Sequence, residues 1–263
     1  MLTLVAGPPR SGTTLLAALL AGRRLLPECT ILVTMMVHRL RFSVAERGPR
    51  FAAFVGDDAG FDSIYADMLE GVLARAECKV EPGDDLVLRA PEFCHLLPVL
   101  PRFFRRPMRT VCIVRDPRDV IASLMQVRER QGQARDLVAA ADFLGGFYAD
   151  IAAALEAPDA RNPLHLIRYE DMAVRNGKAL AGLSAFLGAK LKVRDYAGMP
   201  ADALDPGNPW HSDSYLKPVK ADRIGAYADY LTPDEIGAID HSYARFYERF
   251  GYMADDREAR LAS

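Results

Sequence analysis

The sequence predicts an α/β fold in three layers: a central, mostly parallel sheet with helices on both faces. Three observations predict it. Short apolar runs of strand length alternate with longer segments of helical character. The first run, Leu2 to Ala6, is apolar throughout, as a strand buried on both faces must be. Half of the 263 residues are hydrophobic, enough for a substantial core in one domain spanning 1–263.

The elements follow in order. After the strand at Leu2–Ala6, residues from Thr13 to about Gly22 are rich in Leu and Ala and read as a helix. Residues 31–46 and 61–78 read as further helices, and Asp85 to Arg89 as a second strand. Glu92 to Phe104 is helical in character, with Pro98 and Pro101 as interruptions. Arg109 to Arg115 is the third strand. Asp116-Pro117 then opens a helix, since proline suits the first helical position. Residues 136–157 form a long Ala-rich helix, Pro163 to Arg168 the fourth strand, and Gly177 to Leu187 another helix. Residues 200–222 are polar and turn-rich, a long surface loop holding the only tryptophan, Trp210. Thr232-Pro-Asp-Glu235 reads as an N-cap, a proline at N1 and a capping-box acid; the helix it starts runs to about Phe250 and stops at Gly251.

Composition narrows the function classes. The formal net charge of −2 gives no case for nucleic-acid binding. No stretch approaches the ~18 apolar residues of a membrane span and no secretory signal is visible, so a soluble, cytoplasmic protein is expected. The four cysteines are widely spaced with no C-x-x-C, which argues against a zinc site or a disulfide framework; no metal is expected, and Cys112 reads as a core residue. Residues 102–118 hold Arg102, Arg105, Arg106, Arg109, Arg115 and Arg118 against Asp116 alone, and Arg102 to Arg106 are expected to form a solvated basic face.

Two segments carry chemistry. The first, Gly7-Pro-Pro-Arg-Ser-Gly-Thr-Thr14, follows the first strand and opens a helix, where backbone N–H groups collect partial positive charge suited to phosphate. Gly7 and Gly12 have P-loop spacing, so the fold is P-loop-like, but Thr13 stands where the lysine belongs and Arg10 is the loop's cation. That points away from ATP and GTP hydrolysis and toward a different phosphate-bearing donor. The second segment, Arg115-Asp-Pro-Arg-Asp-Val-Ile-Ala-Ser123, puts a guanidinium at a strand end and a serine about two turns along the next helix. Two cradles suit a nucleotide phosphorylated at two places. Arg10, Arg89, Arg115 and Tyr169 each lie at or just past a strand's C-terminal end, so a parallel sheet would bring all four to one rim.

These residues resemble the sulfotransferases that use 3′-phosphoadenosine 5′-phosphosulfate (PAPS). Pro9-Arg-Ser-Gly-Thr-Thr14 matches the family's 5′-phosphosulfate loop, P-[KR]-[SA]-G-[TN]-T, and Arg115 with Ser123 matches its arginine and serine eight residues apart. The closest likeness is to the tyrosylprotein and related bacterial branch, through Gly7–Leu15, Arg115–Arg118, Arg168–Asp171 and Lys217-Pro-Val219. The resemblance implies that Arg10, Ser11, Gly12, Thr13 and Thr14 hold the 5′-phosphosulfate, with Arg10 also catalytic, and that no metal is required. It implies that Arg115 and Ser123 hold the 3′-phosphate and that Tyr169 and Lys217 contact the nucleotide. Arg89, in Leu88-Arg-Ala-Pro91, occupies the place of a strand-end lysine near the transferred group.

For the general base, the place of the cytosolic members' histidine is Pro91, whereas the tyrosylprotein branch uses a glutamate downstream of the loop arginine. Glu28, eighteen residues after Arg10, is the first choice, with Glu92 and His38 as rivals. The product would be 3′,5′-diphosphoadenosine (PAP). The acceptor is a hydroxyl on a small molecule, carbohydrate, lipid or peptide tyrosine, met by a helical segment at about 29–80 and the loop at 200–222. Two alternatives stand beside this: a P-loop-type small-molecule kinase without the lysine, and a non-catalytic nucleotide-binding protein. A kinase needs a carboxylate for Mg²⁺ at a strand end, where Val114 is instead followed by Arg115.

Overall fold

The computed structural model describes residues 1–20, 26, 28–79, 85–174, 176–188, 210 and 221–252. Strand β1 (Leu2–Ala6) leads through the phosphate-loop segment into α1 (Thr13–Leu20). Helices α2 (Thr30–Leu40), α3 (Val44–Arg47), α4 (Pro49–Val55) and α5 (Asp58–Glu77) precede β2 (Leu86–Arg89). A 3₁₀ turn at Pro91–Leu96 and α6 (Leu100–Phe103) lead to β3 (Met108–Val114), then α7 (Pro117–Arg130) and α8 (Leu137–Glu156). β4 (Leu164–Arg168), α9 (Tyr169–Ala173), α10 (Gly177–Leu187), two 3₁₀ turns at Ala221–Arg223 and Ala226–Asp229, and α11 (Pro233–Phe250) complete it.

The four strands form one parallel sheet in the order β2-β1-β3-β4. Register pairs Val5 with Arg89, Ala6 with Cys112, and Val114 with Arg168. The C-terminal ends are therefore staggered along a single rim, which is where open parallel sheets bind ligands. Period-two alternation divides the strand side chains between two cores. Leu2, Leu4, Cys112 and Val114 pack with residues of α2, α5, α7, α8 and α11, whereas Val5, Val111 and Ile113 pack with α1 and α10. These are the two covering layers of a parallel sheet, and β1 is buried along its whole length.

Most elements stand where the sequence puts them, and the departures have local causes. The helix expected over 31–46 is two, because Ser43 and Glu46 form a capping box that starts α3. The short α4 was not expected. α5 begins earlier than position 61, at a cap where Asp57 Oδ1 accepts from Gly60 N at 2.9 Å. The segment 92–104 divides into the 3₁₀ turn and α6, as its prolines require.

The arginines from 102 to 106 do not form a free basic face. Arg102 pairs with Asp62 at 2.7 Å, Arg105 with Asp67 at 2.8 Å, and Arg106 with Glu70 at 2.6 Å and with Glu77, all acids of α5. Charge on the approach to β3 thus fastens the helix that covers the sheet. Asp62 also receives buried Arg39 at 2.7 Å, joining α2 to the same cluster.

α8 is long and apolar enough, by length and composition alone, to cross a bilayer, contrary to the expectation that no stretch would be. Its Leu144, Phe147, Tyr148 and Ile151 are buried, and it packs on α7, α11 and the 3₁₀ turn at 91–96. All four cysteines are free thiols; Cys112 is buried, as expected. Among the described residues no cluster of metal-ligating side chains occurs. Of the loop at 200–222, only Trp210, Ala221 and Asp222 are described, so Lys217 lies outside the described residues.

Candidate active site

The loop after β1 is held in one shape by close backbone approach. A Cβ at Gly7 would meet the Ile113 carbonyl oxygen at 2.3 Å, so the chain passes β3 where only glycine fits. A Cβ at Gly12, whose φ is +103°, would meet the Tyr169 ring at 2.9 Å. Ser11 N–H donates to Pro8 O at 3.0 Å, closing the loop on itself, and its buried hydroxyl donates to Ile113 O at 3.2 Å, tying the loop to β3. The N–H groups of Gly12, Thr13 and Thr14, at the start of α1, remain as the backbone donors of the cradle.

Arg10 is the only non-glycine among the described residues with a positive φ, +73°. That conformation is costly for a side chain with a Cβ, and such outliers gather at functional sites. It carries the guanidinium across the rim: Nε donates to Ser123 Oγ at 3.1 Å, and Nη1 to the Trp210 carbonyl at 2.7 Å. The cation of the first motif therefore meets the serine of the second, 113 residues on.

Arg115 heads the second motif. Its guanidinium lies 4.4 Å from the Tyr169 ring centroid, pairs with Asp119 at 3.3 Å, and donates to the Arg223 carbonyl. Its backbone carbonyl accepts from Tyr148 Oη at 2.6 Å, which fixes the turn into α7. Burial disfavours the charged guanidinium, but Asp119, Tyr169 and Glu170 outweigh it and the proton is held more tightly than usual. Asp119 is fully buried and accepts from Gly225 N at 2.9 Å and Tyr227 N at 3.0 Å, so one carboxylate joins Arg115 to the late segment. Asp119 was missed from the sequence, although it stands in the first turn of the helix that Arg115 precedes.

Arg89 closes the other flank, where Nη1 donates to Thr14 Oγ1 at 2.7 Å. Its carbonyl accepts from Cys29 N at 3.0 Å and Cys29 Sγ at 3.1 Å, which brings the start of the helical segment to the end of β2. Glu28 is there, half-buried. Burial raises its pKa, Arg89 opposes that and Glu92 adds to it. His38, the other rival base, bonds Tyr65 Oη through Nδ1 at 2.6 Å between α2 and α5.

The RDPR and RYED segments are structural at their second halves. Arg118 is buried, bonded to Asp116 and stacked on Tyr227 and Tyr247. Glu170 is buried, accepts from Asp116 N at 2.9 Å and Tyr252 Oη at 2.8 Å, and has its pKa pushed up to about 7, chiefly by burial.

A doubly phosphorylated nucleotide fits this rim on the protein's own atoms. The loop backbone leaves no room for a Cβ at either glycine, and buried Nε atoms of Arg89 and Arg115 have no hydrogen-bond partner. Three guanidiniums face one rim of a chain whose net charge is −2.

Comparison with known proteins agrees. Among solved structures the chain is similar to the sulfotransferase domain from the curacin biosynthetic pathway, with 19% identity, TM-score 0.65, and coverage of 96% of this chain and 98% of that one. It is similar also to the sulfotransferase domain from the Synechococcus PCC 7002 olefin synthase, with 19% identity, TM-score 0.56, and coverage of 96% and 94%. These likenesses establish the fold. No curated protein matches it closely enough to count as a relative. The model of the sulfotransferase family matches residues 3–192, well over half of the sequence and all of the rim but its late segment. The chain therefore belongs to the sulfotransferase family, and the protein is a sulfotransferase.

Proposed function

We propose that the protein transfers a sulfuryl group from PAPS to a hydroxyl of its acceptor, with a carboxylate as general base. The observation that carries this reading is the contact of Arg10 with Ser123, which joins a phosphate loop to a second anion motif more than a hundred residues away. PAPS, when bound, supplies the activated sulfuryl group and its phosphate leaving group. Arg10 and the N–H groups of Gly12, Thr13 and Thr14 hold the 5′ end, where negative charge grows on the leaving oxygen; fixed donors at that point lower the barrier. Arg89, anchored on Thr14, presents its remaining donors beside them. Arg115 and Ser123 hold the 3′-phosphate, Tyr169 lies against the nucleotide, and Lys217 adds a late phosphate contact.

Glu28 takes the acceptor's proton as the new oxygen–sulfur bond forms and the bond to the phosphate oxygen breaks. Its raised proton affinity makes it a stronger base than an ordinary carboxylate. The acceptor approaches between the helical segment at 29–80 and the late loop, and the reaction runs in the cytoplasm without a metal.

Calorimetric titration tests the nucleotide assignment. PAP should bind much more tightly than ADP, with or without magnesium. Tighter binding of ADP, dependent on magnesium, would mean a kinase. Mass-spectrometric screening of hydroxyl compounds for the gain of one SO₃ then identifies the acceptor; binding of PAP with no transfer to any class of hydroxyl would leave a nucleotide-binding module.

A further inference from the structure

Asp119 lies in the first turn of α7 with its side chain fully buried, and both of its carboxylate oxygens are in use. Oδ2 faces Arg115 Nη2 at 3.3 Å and accepts from Gly225 N at 2.9 Å; Oδ1 accepts from Tyr227 N at 3.0 Å. A buried carboxylate is tolerated where an opposite charge and donors surround it in this way. Two of the three donors come from a part of the chain more than a hundred residues away.

Arg115 is held at one corner of its guanidinium. Nη2 is the nitrogen that meets Asp119, and it also donates to the Arg223 carbonyl. Nε, by contrast, is buried and has no hydrogen-bond partner. A buried donor without an acceptor is costly, and phosphate oxygens are the acceptors it lacks. Asp119 and the segment 223–227 thus fix the plane of the guanidinium that a phosphate must meet. The segment has a second hold on α7, since the Arg118 guanidinium lies 4.7 Å from the Tyr227 ring centroid, so it does not depend on Asp119 alone.

We propose that Asp119 is a positioning residue for the 3′-phosphate, and that through it the phosphate and the late segment favour each other. This rests on Arg115 holding the 3′-phosphate. A guanidinium that is already oriented loses less freedom when a phosphate joins it, so a docked segment raises the affinity. By the same linkage, a seated phosphate restrains Arg115 and tightens its hold on the Arg223 carbonyl and on Asp119. A nucleotide without a 3′-phosphate takes no part in this coupling.

Asp119→Asn keeps the size of the side chain but leaves one acceptor oxygen for three donors. Calorimetry should show its affinity for PAP lowered about tenfold, with adenosine 5′-phosphate, which lacks only the 3′ group, close to wild type. Amide hydrogen exchange followed by ¹⁵N NMR supplies the reciprocal measurement. In the wild type, saturating PAP should slow exchange of the Gly225 and Tyr227 amides about tenfold relative to saturating adenosine 5′-phosphate. In Asp119→Asn the two nucleotides should give equal rates. If Asp119→Asn does not fold, Gly225→Ala takes its place: φ there is +73°, so a Cβ strains the late segment while the side chains of Arg115 and Asp119 stay unaltered, and PAP alone should again weaken. Equal losses for both nucleotides, or an undiminished preference for PAP, would overturn the proposal and make Asp119 a tie within the fold and nothing more. A wild type that does not distinguish PAP from adenosine 5′-phosphate would instead overturn the assignment of Arg115 to the 3′-phosphate, and the proposal with it.

Discussion

At the scale of single residues, Arg10 and Arg115 are both cations that meet phosphate in this reading, yet they are built differently, and substitution should separate them. Arg10 is held at φ +73°, a conformation glycine adopts freely. In Arg10→Gly the relieved backbone offsets the lost bonds to Ser123 and the Trp210 carbonyl, so unfolding free energy should stay within about 1 kcal/mol of wild type. Transfer should fall by about 10²–10³-fold, the usual effect of removing one donor at a developing charge. Urea titration with turnover checks both; strong destabilisation would make Arg10 a structural residue. Arg115→Ala should weaken PAP by ~2–5 kcal/mol, as for one lost partner of a buried charged contact. ADP, which has no 3′-phosphate, supplies the control: its affinity should change little. Equal losses for both nucleotides would mean that Arg115 serves only to pair Asp119 and anchor the late segment. The identities of these residues were legible because arginine, glycine and serine at those spacings have few other uses. Their partners were not, since Ser123 with Arg10, Thr14 with Arg89 and Tyr169 with Gly12 meet only through the order of the strands.

At the scale of elements, Glu170 is a tie between three pieces of the chain. It opens α9, accepts from the N–H that starts α7, and accepts from Tyr252 just past α11. Burial raises its pKa to about 7, so the folded protein holds a proton that the unfolded chain has released. The sign follows: between about pH 4.5 and 7 the native state binds more protons, and stability falls as pH rises through that window. Glu170→Gln removes the titration while keeping an acceptor for the Asp116 N–H. Its thermal stability should be flatter across that window and exceed wild type at pH 8 by about 1–3 kcal/mol. Parallel pH profiles for the two proteins would show that another group sets the slope. The strands, α10 and the capping box of α11 were legible because apolar run length and cap chemistry are local. α4, α9 and the division at 41–43 were not, because four- to seven-residue helices owe their existence to what they pack against. The arginines at 102–106 looked like a solvated face because their acids lie 29 to 40 residues earlier, on α5.

At the scale of the molecule, the site belongs to no single element. Every strand of the sheet feeds the rim, and its parts already hold one another through Arg10–Ser123, Arg89–Thr14 and Arg115–Asp119. A ligand that contacts the loops after β1 and β3 at once binds only the folded arrangement, because unfolding separates groups more than a hundred residues apart. PAP should therefore stabilise the whole chain by mass action. At one hundred times its dissociation constant the gain is ~2.7 kcal/mol, which at the roughly 2–4 °C per kcal/mol of a chain near this length raises the melting temperature by roughly 5–10 °C. The size of the shift depends on how many of the rim's cations the ligand engages. Adenosine 5′-phosphate at the same concentration, lacking the 3′ group, should shift it less. Added salt should shrink the PAP shift further, because the long-range attraction between the rim's cations and a multiply charged ligand is screened. Differential scanning fluorimetry with the two nucleotides at two ionic strengths gives all four values. Equal shifts for both nucleotides would mean that the 3′-phosphate finds no partner, and with that the second cradle, headed by Arg115, would lose its role while the loop around Arg10 kept its own.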